Sequence, residues 1–224
     1  MFAREPVSGK VKTRLSPHIS SEKAADLYKA FIVDIVNNLK KLKGQDLTIA
    51  YAPVSGDADA VFHELVGESI PLFPQKGDTL GERLKNAFQD SFCKEIKRIV
   101  IIGADSPTLP ISYIKQAFHA LRDTPVVIGP AYDGGYYLIG LSGFTGEIFD
   151  GIEWGSPQVF SQTIERIKEL NQQLHLLPPW YDIDTPSDLS FLRSHLVAMK
   201  LSGSREIPHN TAQFLENFIE NSSF

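Results

Sequence analysis

Arg98-Ile-Val-Ile-Ile-Gly-Ala-Asp-Ser-Pro107 is an unbroken apolar run that ends on a glycine and a carboxylate. Apolar residues on both faces of a short stretch predict a central parallel strand over Arg98–Gly103, buried on both sides. Asp105 then falls just past the strand's carboxyl end, where ligands bind in open α/β sheets. A carboxylate at that place can hold a divalent cation that bridges nucleotide phosphates. The competing reading is that Asp105 caps the turn before the next helix.

On either side of this strand, apolar periodicity alternates between helical and extended. Helices are expected over Ser20–Lys43 (capped by Ser20 or Ser21), Ala58–Val66, Thr79–Phe92, Ile111–Leu121, Pro157–Leu170 and Ser187–Lys200. A last helix over Ile207–Ile219, carrying Phe214, Leu215, Phe218 and Ile219, suits docking on the body. Strands are expected at Leu47–Ala52, Ile70–Phe73, Val126–Gly129, Tyr136–Leu141 and Leu174–Leu177. Such alternation predicts an α/β fold with an open, mainly parallel sheet and helices on both faces.

The bulk composition narrows the function classes. The chain has 224 residues, 42% hydrophobic and 22% charged, with a net charge of −5. A general nucleic-acid binder is not expected to be acidic. A single cysteine, Cys93, rules out an intramolecular disulfide and reads as a helix or core residue. No apolar signal region opens the chain and no run is long enough to span a bilayer, which predicts a cytoplasmic enzyme-sized domain.

Against that acidic background the N-terminal loop stands out. Phe2-Ala-Arg-Glu-Pro-Val-Ser-Gly-Lys-Val-Lys-Thr-Arg-Leu15 carries the cations Arg4, Lys10, Lys12 and Arg14 around Gly9. Glycine lets backbone N–H groups approach an anion, and a helix start adds the positive end of a dipole. The loop predicts a phosphate grip, although it lacks the P-loop spacing; a solvated basic turn is the bland reading. Only Met1, Phe2 and Ala3 precede it, so the first strand is either a stub or missing residues upstream.

Two further loops carry chemistry-bearing residues. In Gly129-Pro-Ala-Tyr-Asp-Gly-Gly-Tyr-Tyr137, the Asp133-Gly134-Gly135 segment reads as an ordinary hairpin turn. The glycines would also let a ligand lie against the backbone, Tyr136 and its neighbours could stack on a sugar or base, and Asp133 could orient an acceptor. In Trp180-Tyr-Asp-Ile-Asp-Thr-Pro186, Asp182 and Asp184 lie two apart and face the same way if extended. Asp182 is the candidate for site chemistry. Asp184 reads as mainly structural, part of an Asp184-Thr185-Pro186 turn capping the next helix. Gln75–Arg83 and Glu153–Ser156 are lesser candidates, with Asp78 or Thr79 a natural helix cap. The six histidines show no metal-type spacing, and serine or cysteine hydrolase motifs are absent.

Taken together, the N-terminal loop, Gly103-Ala-Asp-Ser-Pro107, Asp133-Gly-Gly-Tyr136 and Asp182-Ile-Asp-Thr-Pro186 resemble the nucleotide-diphospho-sugar transferases and nucleotidyltransferases. The set is closest to a bacterial family of small GT-A-type glycosyltransferases long labelled a domain of unknown function, some of them assigned to arsenosugar biosynthesis. The resemblance implies one GT-A domain over residues 1–224, its first strand truncated, with a docking helix within 207–224. It implies that Gly9, Lys12 and Arg14 contact the diphosphate and that Asp105 binds Mg2+ or Mn2+; Lys12 and Arg14 would act catalytically by neutralising charge on the departing group, and Arg4 and Lys10 are further substrate-binding candidates on the same loop. The family's Asp-x-Asp motif is represented by Gly103-Ala104-Asp105, which keeps the last carboxylate and lacks the first. Gly134, Gly135 and Tyr136 would contact substrate. The implied reaction is metal-dependent glycosyl transfer from a nucleotide-diphosphate sugar to a small-molecule acceptor, with Asp133 or Asp182 as base if the reaction inverts. The alternatives are nucleotidyl transfer from a nucleoside triphosphate to a phosphorylated acceptor, and nucleotide binding without turnover.

Overall fold

The computed structural model describes residues 1–15 and 18–220, apart from the side chains of residues 218–220. Two compact units result. One comprises Met1–Phe73, Ala104–Ile111 and Asp182–Phe224; the other comprises Pro74–Gly103 and Ser112–Tyr181.

The first unit holds β1 (Phe2–Arg4), α1 (Ser21–Leu39), β2 (Ile49–Ala52), α2 (Ala58–Val66) and β3 (Leu72–Pro74). The later helices α6 (Pro186–Leu201) and α7 (His209–Glu220) also belong to it. Ser20 caps α1 by accepting from Lys23 N, which settles the choice between the two serines. Leu27, Phe31, Ile32 and Ile35 are buried along α1, the stripe the periodicity required. The helix stops at Leu39, short of the expected Lys43, in a tightened turn with Leu42 N bonded to Leu39 O ahead of Gly44 at φ 77°. The strands order as β1-β2-β3, with β1 and β2 parallel and Ala3 opposite Tyr51.

The expected C-terminal helix forms as α7 and packs on α1. Buried Asp34 of α1 accepts from Asn210 N, Asn210 Nδ2 and Thr211 N, so a carboxylate from another helix satisfies the free N–H groups at the start of α7. Leu215 is buried there; the side chains of Phe218 and Ile219, and residues 221–224, lie outside the described residues.

The second unit holds α3 (Leu80–Phe92), β4 (Ile99–Ile102), α4 (Ile111–Ala120), β5 (Val126–Pro130), β6 (Tyr136–Leu141), α5 (Val159–Glu169) and β7 (Leu174–Leu176). Its strands order as β4-β6-β5-β7, and Val126, Val127, Ile128, Leu138, Ile139 and Leu141 form the core of that sheet. β5 and β7 are parallel, whereas β6 runs antiparallel to both β4 and β5. The α/β class is as expected, and within this sheet β4 pairs antiparallel with β6 where a parallel neighbour was expected. Ile99 and Val100 of β4 are half-buried. An all-apolar run reports burial, not the direction of the neighbouring strand. The short Ala131–Gly135 connection turns β6 back antiparallel to β5, and β4 pairs with β6 in the same antiparallel sense.

Cys93 is exposed at the C-terminal cap of α3, not in the core. Among the described residues no helix is long and apolar enough to cross a membrane.

Candidate active site

β1 delivers the chain into the loop Glu5–Leu15, and the loop is anchored by a buried carboxylate. Glu5 accepts from Val54 N at 2.6 Å, Ser55 N at 2.8 Å and Ser55 Oγ at 2.5 Å, joining the loops that leave β1 and β2. Desolvation pushes the Glu5 pKa up, but the hydrogen bonds from Ser55 and Val54 outweigh it and hold the group below its ordinary value. Sequence inspection passed Glu5 over, because a single glutamate between Arg4 and Pro6 carries no local signal.

Further along, the loop sorts its residues by side. Val11, Lys12 and Leu15 are buried, whereas Gly9, Lys10, Thr13 and Arg14 face solvent. Gly9 adopts φ 72° with nothing within 4 Å of the place a Cβ would take, so it supplies the turn and leaves open space beside the backbone. Lys12 is also left-handed, at φ 49°, an uncommon geometry for a residue with a long side chain. That backbone turn sends its side chain inward.

Lys12 is the centre of the cluster. Its side chain is 2% exposed, and Nζ contacts Asp105 Oδ1 at 2.5 Å, Asp184 Oδ1 at 3.0 Å and Ile183 O at 2.5 Å. An ammonium has three N–H donors, and these three oxygens account for all of them. The rings of Tyr28 and Phe31, each 5.7 Å from Nζ at their centroids, flank the charge. Burial alone drives the Lys12 pKa down, but Asp105 and then Asp184 outweigh it, so the ammonium is held protonated above its ordinary range. Burial, reinforced by the charge of Asp105, raises the Tyr28 hydroxyl. Tyr28 Oη accepts from Arg4 N at 3.2 Å, tying α1 to the start of the loop.

The carboxylates come from two segments of the same unit. Asp105 lies just beyond β4 and Asp184 just before α6, and Ile183 N donates to Asp105 O at 3.0 Å. Ser106 donates to Asp182, so Asp182 is drawn into stitching these segments together. The helix cap falls to Thr185, not Asp184. Thr185 Oγ1 accepts from Asp188 N while Asp188 returns bonds to Thr185, and Pro186 fills the first turn. With the cap assigned to its neighbour, the Asp184 carboxylate is free to meet Lys12. The side chains of Asp105 and Asp184 remain 43% and 38% exposed.

Among the expected phosphate contacts, Lys12 is thus inside the cluster, while the exposed residues are Arg4, Lys10 and Arg14. Arg4 Nη1 braces the loop through Lys10 O at 3.3 Å.

The second unit places Asp133, Gly134, Gly135 and Tyr136 on and beside the β5–β6 turn. Asp133 is exposed, and its Oδ1 accepts from Gly135 N at 2.9 Å, a local turn bond. Gly134 has φ 91°, and a Cβ there would sit 2.0 Å from Pro157 O, so its open side is filled by the protein's own backbone. Phe160 N donates to Gly134 O at 2.8 Å, fixing the turn to the start of α5. Burial raises the Tyr136 hydroxyl, whose ring meets Trp154 edge-on at 6.4 Å. Trp154 itself covers Gly81, where a Cβ would lie 2.3 Å from the indole nitrogen. In the Gln75–Arg83 loop, Thr79 and Glu82 form a capping box and Lys76 pairs with Asp90.

An α/β chain with a glycine-turned cationic loop after its first strand, and carboxylates gathered on that loop, has the architecture of the nucleotide-diphospho-sugar transferase group. A solved structure from Desulfovibrio desulfuricans G20, provisionally described as a nucleotide-diphospho-sugar transferase, matches with a TM-score of 0.88. It is 36% identical, over 96% of this chain and 92% of that one. Residues 35–156, just over half of the chain, match the family described as uncharacterized proteins conserved in bacteria (DUF2064), and the chain belongs to that family. A curated relative, 2-phospho-L-lactate guanylyltransferase of Methanocaldococcus jannaschii, is 30% identical over 85% of this chain and 81% of its own length. A Mycobacterium tuberculosis protein crystallised with manganese shares the fold at TM-score 0.50 and 14% identity, covering 85% of this chain and 95% of its own.

Among the described residues no three His, Cys, Asp or Glu side chains are grouped to hold a metal by themselves. The donor set nevertheless suits one class of ion. Asp105 and Asp184, from separate segments, come together on Lys12, and each keeps more than a third of its side chain exposed. Magnesium-type ions are commonly held by one or two carboxylates together with substrate phosphates.

Proposed function

We propose that the chain is a nucleotidyltransferase that binds a nucleoside triphosphate with Mg2+ or Mn2+ and transfers the nucleotidyl group to a small phosphorylated acceptor. The observation that carries this reading is the pair Asp105 and Asp184, held together by buried Lys12 yet each more than a third exposed. The guanylyltransferase relative, similar over most of both chains, supports the same chemistry and points to guanosine triphosphate as the first nucleotide to test.

In this mechanism Asp105 and Asp184 would hold the cation, which when bound would neutralise charge on the departing pyrophosphate. Arg14 and Lys10, exposed on the loop, meet the phosphates, and the open backbone at Gly9 allows close approach. Arg4 fixes the loop's shape. An acceptor phosphate oxygen attacks the α-phosphorus, the new P–O bond forms in line with the bond to the bridging oxygen, and that bond breaks to release pyrophosphate. The attacking oxygen is already ionised at neutral pH, so no protein base is required. Glycosyl transfer is the second reading, favoured by the similarity to the Desulfovibrio protein. An inverting version needs a base, for which Asp133 is exposed and Asp182 is engaged by Ser106.

The discriminating assay supplies each of the four nucleoside triphosphates with Mn2+ and a set of phosphorylated hydroxy acids, 2-phospholactate among them, and measures pyrophosphate. Pyrophosphate release that depends on both nucleotide and acceptor supports nucleotidyl transfer. Release of a nucleoside diphosphate from a nucleotide sugar, with no pyrophosphate from any triphosphate, would move the assignment to glycosyl transfer.

A further inference from the structure

The outer side of α6 is not composed like an ordinary solvent-facing surface. Leu189, Leu192 and Leu196 are buried on one side, as an amphipathic helix requires. On the opposite side, however, Val197 is 57% and Leu201 85% exposed. Ser190, Ser194 and Ala198 are exposed beside them, and by helical geometry Arg193 and Lys200 fall on one flank of this face. In a chain that is 22% charged, the outward positions of a helix are ordinarily filled by Lys, Glu or Arg. Serine is a weaker helix former than those residues, so local propensity does not explain Ser190 and Ser194. We propose that this face of α6 is a two-fold contact with a second copy of the chain, in which each copy's Val197–Leu201 ridge lies in the other's Ser190–Ser194–Ala198 groove. The inference stands apart from the nucleotidyl-transfer reading.

Residues four apart line up in rows along a helix surface. Ser190, Ser194 and Ala198 form one such row of small side chains, and Val197 and Leu201 form the adjacent row of bulky ones. A groove beside a ridge is what a two-fold contact needs, because one patch must supply both halves of the fit. The small row lets the two axes approach, with a crossing angle of about −50° for packing of this kind. Phe191 walls the other side of the groove, its ring also meeting His195 at 6.0 Å. Polar groups on the face are accounted for. Ser194 Oγ donates to Ser190 O at 3.3 Å within the helix, so covering it strands no hydroxyl, and Lys200 on the flank is paired with Glu216. Charge points to the same occupant. Each copy carries a net −5, so two copies repel overall and meet best through an uncharged patch, whereas a strongly charged partner would find nothing here to pair with. Area sets the strength. One helix crossing covers less than the roughly 800 Å² per partner of a standard stable complex, so the association is weak and concentration-dependent.

The test is analytical ultracentrifugation of the full chain, without nucleotide, from roughly 5 to 500 µM, the range in which a contact of this size associates. Wild-type protein is expected to move from monomer towards dimer across that range. Ser194→Arg sets a cation in both grooves at an exposed position, and its dissociation constant is expected to rise roughly tenfold or more. Wild-type protein that stays monomeric throughout overturns the proposal. So does a Ser194→Arg dimer as tight as wild type's, which would place the contact elsewhere. A second measurement leaves the groove nearly intact: Ser194→Cys in a Cys93→Ser background, which removes the exposed native thiol, treated with a short bis-maleimide. Ser194 is in the middle of the groove and close to the two-fold axis, so a covalent dimer is expected, while Glu64→Cys on the exposed side of α2 should give none. Equal crosslinking at the two positions would contradict the proposal. Both readouts are blind to catalysis, so failure of the nucleotidyl-transfer reading, seen as absence of pyrophosphate release, leaves them unchanged.

Discussion

The loop after β1 and the turn between β5 and β6 look alike in sequence, each pairing glycine with charged residues, yet they are built on different principles. The Glu5–Leu15 loop is held by charge. Glu5 gathers three donors from Val54 and Ser55, and Lys12 gathers Asp105, Asp184 and Ile183 O, while the surroundings of Gly9 stay open. The Ala131–Gly135 turn is held by shape. Gly134 is pressed against the Pro157 carbonyl, Gly129 against the Tyr137 ring, and the one charged residue, Asp133, makes only a local bond to Gly135 N. A glycine with empty space beside it leaves room for a ligand; a glycine with protein already in that space serves packing.

The most severe test of this contrast is Gly134→Ala. The new Cβ would meet a backbone carbonyl at 2.0 Å and sit at φ 91°, so backbone must shift. A loss of about 3 kcal/mol or more in urea unfolding is expected, of the size reserved for overpacking and strain. Gly9→Ala meets no atom, and a loss as large as that of Gly134→Ala would break the comparison. Asp105→Ala comes next. It leaves the Lys12 ammonium with a single carboxylate, and because Asp105 is partly exposed the cost is expected at about 1–3 kcal/mol, below that of a fully buried pair.

The Glu5 clamp makes a pH prediction whose sign follows from its lowered pKa. The native carboxyl titrates below the unfolded one, so its stabilisation is complete above the unfolded value of about 4.5 and disappears as pH falls through the native value. Glu5→Gln should therefore be less stable than wild type at pH 6 and converge with it towards pH 3 in urea titrations; a constant difference across that range would remove the clamp from the acid response. The smallest effect is expected from Asp133→Ala, which loses one exposed hydrogen bond. About 0.5–1 kcal/mol in the same assay is anticipated, with Mn2+ binding unchanged.

Much of the framework was legible in the sequence because it depends on local pattern. The α1 stripe, a serine cap at its start and the Asp133-Gly134-Gly135 hairpin are each written within a few consecutive residues. The candidate site was legible only as a set of residues, not as an arrangement. Lys12 read as a phosphate-gripping cation because nothing near it in sequence shows that its partners lie 93 and 172 positions away. Asp184 read as a cap because Asp-Thr-Pro permits either residue to take that part, and only the Thr185–Asp188 box decides it. The apolar run at Arg98–Gly103 announced a buried strand, but strand direction is fixed by connections, and β6 returns antiparallel beside it.

The most direct test of the assignment is calorimetric binding of GTP and of a guanosine-diphosphate sugar, each with Mn2+, to wild-type protein and to Asp105→Ala. Nucleotidyl transfer at the Lys12–Asp105–Asp184 cluster requires the triphosphate to bind more tightly than the nucleotide sugar, and that preference to vanish with Asp105. Tighter binding of the nucleotide sugar, or triphosphate binding that is indifferent to Asp105, would contradict it.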